Sequence, residues 1–350
     1  MDPELDLFND SEQGATPSLN QTTQNEEICD SFIYDPHIAP ILYFLIFPFA
    51  LLLNGVAAWV SLHLKSASTF IVYLKNLVAA DIVMTVIVPI KAASDLPEAS
   101  NLLFALSCRY FSSIFYSTLY TCIALLGLIS LDRFFKIMMP HSKVFSNLTL
   151  SKVVSVFVWA ILFGGSALPN IILSDKSVAN LTEIGTCMNL KEAAGLSAHE
   201  NTVIYLNVFF WLVSVVIAVC YICITNKVIQ SFRNSGSNNN QGKQKIKLRV
   251  FLVLIVFFVS FGPYHIVRIP YTFAQVNYTS TSSCSYLLGR FAKEISLWFA
   301  TTNICMNPLL YVFLCREFQE ELKLLMNRWS VSFNAATGGK ADSTIPQTRL

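Results

Sequence analysis

Residues 286–313 read YLLGRFAKEISLWFATTNICMNPLLYVF. The stretch suits a helix crossing a hydrocarbon core about 30 Å thick, which takes roughly 20 residues. It also carries Lys293, Glu294, Asn303 and Asn307, groups that lipid tails do not solvate. One face of this helix must therefore turn toward protein or a water-filled cavity. Six more segments meet the same length test, near 39–62, 70–93, 107–131, 152–173, 202–225 and 250–273. The third runs on as helix into a charged end at Asp132-Arg133, and the second and third also carry inward-facing polar residues. The expected fold is an all-α membrane protein, a seven-transmembrane helix bundle over residues 38–313.

Composition agrees. Of 350 residues, 54% are hydrophobic and 13% charged, against about a quarter charged in a soluble domain. The net charge of +2 offers no dense basic stripe, which excludes a nucleic-acid polymer as partner. The N-tail, residues 1–37, holds nine acidic residues and no Lys or Arg. Its opening Met-Asp-Pro-Glu-Leu-Asp lacks the basic and apolar regions of a cleavable signal peptide, so the first span is expected to act as its own insertion signal.

Lysines and arginines set the orientation. Lys65 follows span 1, Lys136, Lys143 and Lys152 follow span 3, and six basic residues from Lys227 to Arg249 separate spans 5 and 6. The N-terminus is expected outside and the C-terminus inside. Three glycosylation acceptors, Asn20, Asn180 and Asn277, then fall outside, whereas Asn147-Leu-Thr falls inside as a chance match. Four of the nine cysteines, Cys29, Cys108, Cys187 and Cys284, sit at outer positions and allow three pairings. Cys108–Cys187 would tie the second outer loop to span 3, and Cys29–Cys284 would tie the N-tail to the last outer loop. The sequence does not choose among the pairings. Phe318, Leu322 and Leu325 recur at helical spacing among charges, as in an amphipathic membrane-surface helix over 314–328. Residues 329–350 are expected to be disordered, and their terminal Thr348-Arg349-Leu350 could add as a strand to a PDZ-domain protein.

The ordered set Leu53-Asn54-Gly55, Asn76, Asp81, Leu131-Asp132-Arg133-Phe134, Trp159, Pro263 and Asn307-Pro308-Leu309-Leu310-Tyr311 resembles the rhodopsin-like G-protein-coupled receptors, over roughly residues 38–328. The resemblance implies a plasma-membrane receptor coupled to a heterotrimeric G protein, with no catalytic residues and no cofactor. It makes Asp81, facing Asn54 and Asn307, a sodium or water-network site, since a carboxylate within the membrane needs a partner. Pro263 and Pro308 lack backbone donors and kink their helices, and Arg133, beside Asp132, would meet the G protein.

A narrower similarity rests on Phe70-Ile-Val-Tyr-Leu-Lys-Asn76, Ser113-Ile-Phe-Tyr116, Leu168-Pro-Asn170, Pro263-Tyr-His265, Arg268-Ile-Pro-Tyr271 and Lys293-Glu294. These resemble the purinergic nucleotide receptors, most of all the branch answering ADP and UDP-sugars through inhibitory G proteins. A neighbouring branch binds lysophosphatidylserine, which keeps a lysophospholipid as the alternative ligand. Arg268 lies about 7.5 Å beyond Pro263 along its helix, at a depth similar to Lys293. Arg presents a planar fork to phosphate oxygens and Lys a point charge. Lys191 would be held over the pocket by the loop disulfide, Tyr116 could stack on a base, and His265, one turn deeper than Arg268, is placed either for ligand contact or for a hydrogen-bonded helix-packing role. Tyr271, Asn170 and His199 complete the expected ligand set. Asn307 stands where the purinergic branch usually has Asp, and Val203 where related receptors often place Asn. Span 5 also lacks a mid-helix proline, as in this branch.

Other classes find less support. Thr301 occupies the place of a retinal-binding lysine, Gly164-Gly-Ser166 has no matching histidine partner, and the paired repeats of a transporter are not seen. A constitutively active receptor without soluble agonist is the remaining different-class reading.

Overall fold

The computed structural model describes residues 35–65, 68–142, 147–174, 176, 186–234, 240–277 and 284–338. Asn20, Cys29, Asn180 and the terminal Thr348-Arg349-Leu350 lie outside the described residues, and with them the expected Cys29–Cys284 bridge. Seven described helices are long and apolar enough to cross a membrane. They are α1 (Ile38–His63), α2 (Thr69–Asp95), α3 (Asn101–Met138), α4 (Leu148–Ile172), α5 (Ala193–Asn234), α6 (Asn240–Asn277) and α7 (Cys284–Leu314). An eighth, α8 (Arg316–Gly338), follows directly.

Side-chain chemistry sets where helices begin. Ser68 accepts a hydrogen bond from the Ile71 amide at the start of α2, and Ser100 does the same for Leu103 in α3. Asn147 accepts from the amides of Thr149 and Leu150, so this inward-lying acceptor triplet serves as the N-cap of α4. The ends differ from the hydropathy limits. α5 starts nine residues before and ends nine after the expected span, because hydropathy marks the lipid-crossing part while the helix itself runs on without proline. α8 continues ten residues past the expected boundary at 328, so residues 329–338 are helical rather than disordered. No Gly or Pro interrupts the sequence from Arg316 to Thr337, and the Gly338-Gly339 pair follows.

The bundle has the polarity a bilayer demands. Leu45, Phe49 and Leu52 of α1, Phe157 and Ile161 of α4, and Leu212 and Val215 of α5 are exposed, while Asn54, Asp81 and Asn307 are buried. With no water in the membrane core, polar groups must be satisfied inside. Ser113, Ser117 and Thr121, successive turns of α3, each donate to the carbonyl four residues earlier. α4 packs mainly on α2 and α3, pinned by Trp159 Nε1 donating to Asn76 Oδ1 at 3.1 Å. Among the described residues two helices carry π turns, Ser107–Phe111 in α3 and Phe163–Ala167 in α4.

Candidate functional site

The outer end of the bundle, outer by the loop charges, opens into a cavity of about 180 Å³. Cys108 of α3 is bridged to Cys187, which opens the short 3-10 turn Cys187–Leu190. That staple brings Lys191 over the cavity. Its ammonium donates to Asn170 Oδ1 and, at 2.9 Å, to Ser174 Oγ, and Asn170 in turn donates to Ser113. Neutral oxygens therefore hold this cation, and burial pushes Lys191 down to about 8.

Arg268 of α6 is 4% exposed. Its guanidinium lies 5.6 Å from the Tyr116 ring centre and 3.4 Å from His199 Nε2. An arginine only donates, so that His199 nitrogen must be unprotonated. Lys293 of α7 sits 5.4 Å from the Tyr271 ring centre. Neither Arg268, Lys191 nor Lys293 has an ion pair among the described residues. The carboxylates nearby already have cations: Lys91 pairs with Asp95 at 2.6 Å and Arg290 with Glu294 at 3.0 Å. A buried charge without a counter-charge is costly; Lys191 and Arg268 are buried and Lys293 is half-buried, so these unpaired cations on one cavity favour an anion there.

The cavity brings together Tyr116, Asn170, Lys191, His199, Arg268, Tyr271 and Lys293 of the expected set. His265 is the correction. It is 1% exposed and not part of the lining. Its ring stacks on Phe210 at 3.6 Å, with Nδ1 against the Phe261 carbonyl and Nε2 against the Tyr120 hydroxyl. Both nitrogens are used below the pocket floor, so this side chain packs helices instead of meeting ligand. Val203 does line the cavity, as an apolar wall. Lys91 reaches the cavity and pairs with Asp95 as well.

A second polar cluster lies deeper. Asp81 accepts from Asn307 Nδ2 at 2.9 Å and Tyr311 at 2.6 Å. Pro308 cannot donate to the Ile304 carbonyl four residues earlier. Asn54 Nδ2 fills that vacancy at 3.0 Å and also donates to Thr85 Oγ1 at 3.1 Å. The side-chain oxygens of Asn54, Asn303 and Asn307 are buried and have no partner among the described residues. At the inner end Asp132 is taken by Thr69 and by Lys136 at 2.8 Å. Arg133 is left to donate to the Leu314 carbonyl at 2.7 Å and to lie over Phe70, 4.5 Å from its centre.

The chain that carries these groups matches the seven-transmembrane receptor (rhodopsin family) over residues 53–311. The chain is 43% identical to purinoceptor 13 of Homo sapiens over 83% of its length and 82% of the relative. The chain belongs to the purinoceptors of the rhodopsin family. It is also 37% identical to purinoceptor 14 of Bos taurus, across 81% of this chain and 84% of that one. Against G-protein coupled receptor 87 of Mus musculus the figure is 34%, across 91% and 88%. The receptor is a multi-pass plasma-membrane protein and not an enzyme.

Several lining residues of the receptor escaped sequence reasoning. Arg290, with Lys293 and Glu294, falls at i, i+3 and i+4 along α7 and so shares a face, a signal that was available. Gln275 and Thr186 carried none, because only the fold brings them to the cavity.

Proposed function

We propose that the receptor binds an extracellular anionic nucleotide of the ADP or UDP-sugar type and signals through an inhibitory heterotrimeric G protein. The observation that carries this reading is the meeting of Arg268, Lys191 and Lys293, each without a counter-charge among the described residues, on one cavity. Relatives named as purinoceptors support the nucleotide class. The cavity of about 180 Å³ is below the roughly 300–1,000 Å³ of a typical ligand site. A nucleotide seated there widens the outer end, and its phosphates draw α6 and α7 toward the Lys191 loop.

The ligand then favours one bundle state by its differential affinity. Pro263 and Pro308 supply the flexible points in α6 and α7. At the inner end, separation of Arg133 from the Leu314 carbonyl frees the arginine for the G protein. The N-tail lies outside and the C-tail inside, in keeping with the loop charges and the outer disulfide. Asp81, with the unpartnered oxygens of Asn54, Asn303 and Asn307, offers the hard oxygen set that sodium prefers. A cation held there would favour the state without agonist.

Charge reversal at Arg268 is the test. Arg268→Glu should reach the cell surface yet lose about 100-fold or more in agonist potency for cyclic AMP inhibition. Unchanged potency rejects the phosphate clamp.

A further inference from the structure

The hydrogen-bonding sense of the pocket floor is fixed from below. Tyr120 of α3 lines the cavity, while His265 of α6 lies beneath it, outside the lining. The two helices face each other across two levels. At the upper level the Arg268 guanidinium lies 5.6 Å from the Tyr116 ring centre. One turn deeper on each helix, the Tyr120 hydroxyl meets His265 Nε2 at 3.1 Å. The step is about 4.5 Å along α6 and about 6 Å along α3. A base hung from phosphates at the upper level therefore points an edge at the lower one.

The protons of the lower level follow from its partners. His265 Nδ1 lies 2.8 Å from the Phe261 carbonyl. A carbonyl only accepts, so Nδ1 carries a proton. The ring is buried and has no carboxylate partner among the described residues, and Arg268 sits one turn above. A second proton would make it a buried, uncompensated charge. Nε2 is therefore bare and accepts from the Tyr120 hydroxyl. A phenol owns one proton, and here it is committed, so toward any other group Tyr120 can only accept. The arrangement is held in place. The His265 ring stacks on Phe210 at 3.6 Å, and its carbonyl accepts from Asn207 Nδ2 at 2.7 Å. Turning the imidazole over would give up both of its ring hydrogen bonds.

We propose that Tyr120, its proton held by His265, is a specificity determinant that accepts a hydrogen bond from an N–H on the base edge of a nucleotide. The inference rests on the nucleotide reading and names what the same site recognises beyond phosphate. Adenine carries such a donor at its 6-amino group, and uracil carries one at N3. Val203 and Leu206, which line the cavity from α5, present no hydrogen-bonding side chain to that edge. His265 acts through Tyr120 and is a positioning residue.

The test is competition binding on the purified full-length receptor with two matched pairs of compounds. ADP is compared with the 5′-diphosphate of 6-chloropurine riboside, in which chlorine replaces the amino group at similar size and donates nothing. UDP-glucose is compared with its form methylated at uracil N3. For the parent that binds, loss of the donor should weaken binding about tenfold in the wild-type receptor. In Tyr120→Phe the two members of that pair should bind within about twofold of each other. The preference for the phosphorylated compound over its nucleoside, set by the cations, should persist in that variant. His265→Phe should shrink the ratio within the pair as well, because the freed Tyr120 hydroxyl can turn its hydrogen toward the ligand. A merely structural role for His265 would weaken parent and analogue alike and leave the ratio unchanged. Equal binding within each pair by the wild-type receptor, a comparison that needs no variant to fold, overturns the proposal and leaves the nucleotide reading standing. A ratio undiminished in Tyr120→Phe also overturns it, because the edge is then read elsewhere. Binding of neither ADP nor UDP-glucose overturns the nucleotide reading and this proposal with it.

Discussion

The two ends of the bundle treat charge in opposite ways. At the outer end Arg268, Lys191 and Lys293 rest on rings, amides and hydroxyls, and none has a carboxylate among the described residues. At the inner end the charges are answered within the chain. Asp132 has Thr69 and its counter-ion Lys136, and Arg133 has the end of α7. The outer half is completed by something from outside, whereas the inner half must be broken to act. That contrast is the basis for the proposal of recognition at one end and a switch at the other.

The contrast can be broken most directly at Arg268. Its charge reversal, with the loss of about 100-fold or more in potency set out above, turns the pocket against an anion and leaves the inner half untouched. The second largest effect belongs to the inner half. Asn54→Leu removes the donor that Pro308 makes necessary, leaving the Ile304 carbonyl buried and unpaired. Thermal unfolding of the purified receptor should show a loss of about 1–3 kcal/mol. An unaltered melting profile would mean that the kink does not depend on this bond.

Protonation sharpens the comparison. Lys191 titrates near 8 because burial disfavours its charged form. Below that value it is a cation, and a bound phosphate favours the proton further. Affinity for an anionic ligand should therefore be full near pH 7 and fall about tenfold by pH 9. Lys191→Arg keeps its charge across that window and should flatten the profile. A wild-type affinity that stays level from pH 7 to 9 would remove Lys191 from the clamp. The smallest effect is expected at Phe70. Phe70→Ala strips the ring under Arg133, a contact worth about 0.5–1 kcal/mol, and basal signalling should rise only a few-fold in a G-protein activation assay.

Much of this was legible in the sequence because the bilayer imposes strong rules. Seven apolar runs had to be helices, and their polar interruptions had to face inward. Cys108 and Cys187 were two of four outer cysteines, and their pairing needed the fold. Asn54 and Pro308 both stood out, but the carbonyl that joins them belongs to Ile304, an undistinguished residue 250 positions from Asn54. His265 stood open between two roles for a related reason. Helical spacing put it on the face of Arg268, yet one turn of depth separates a pocket wall from a packed floor, and Phe210 and Tyr120 claim its ring. The length of α8 was hidden too, since helix propensity continues where amphipathic spacing fades.

The central claim is that the outer cations require an anionic partner. Competition binding on the purified full-length receptor, comparing ADP and UDP-glucose with adenosine and uridine, tests it without reference to signalling. The account predicts that at least one phosphate-bearing compound binds and that its parent nucleoside does not. Equal binding of the nucleoside and its phosphorylated form would contradict it.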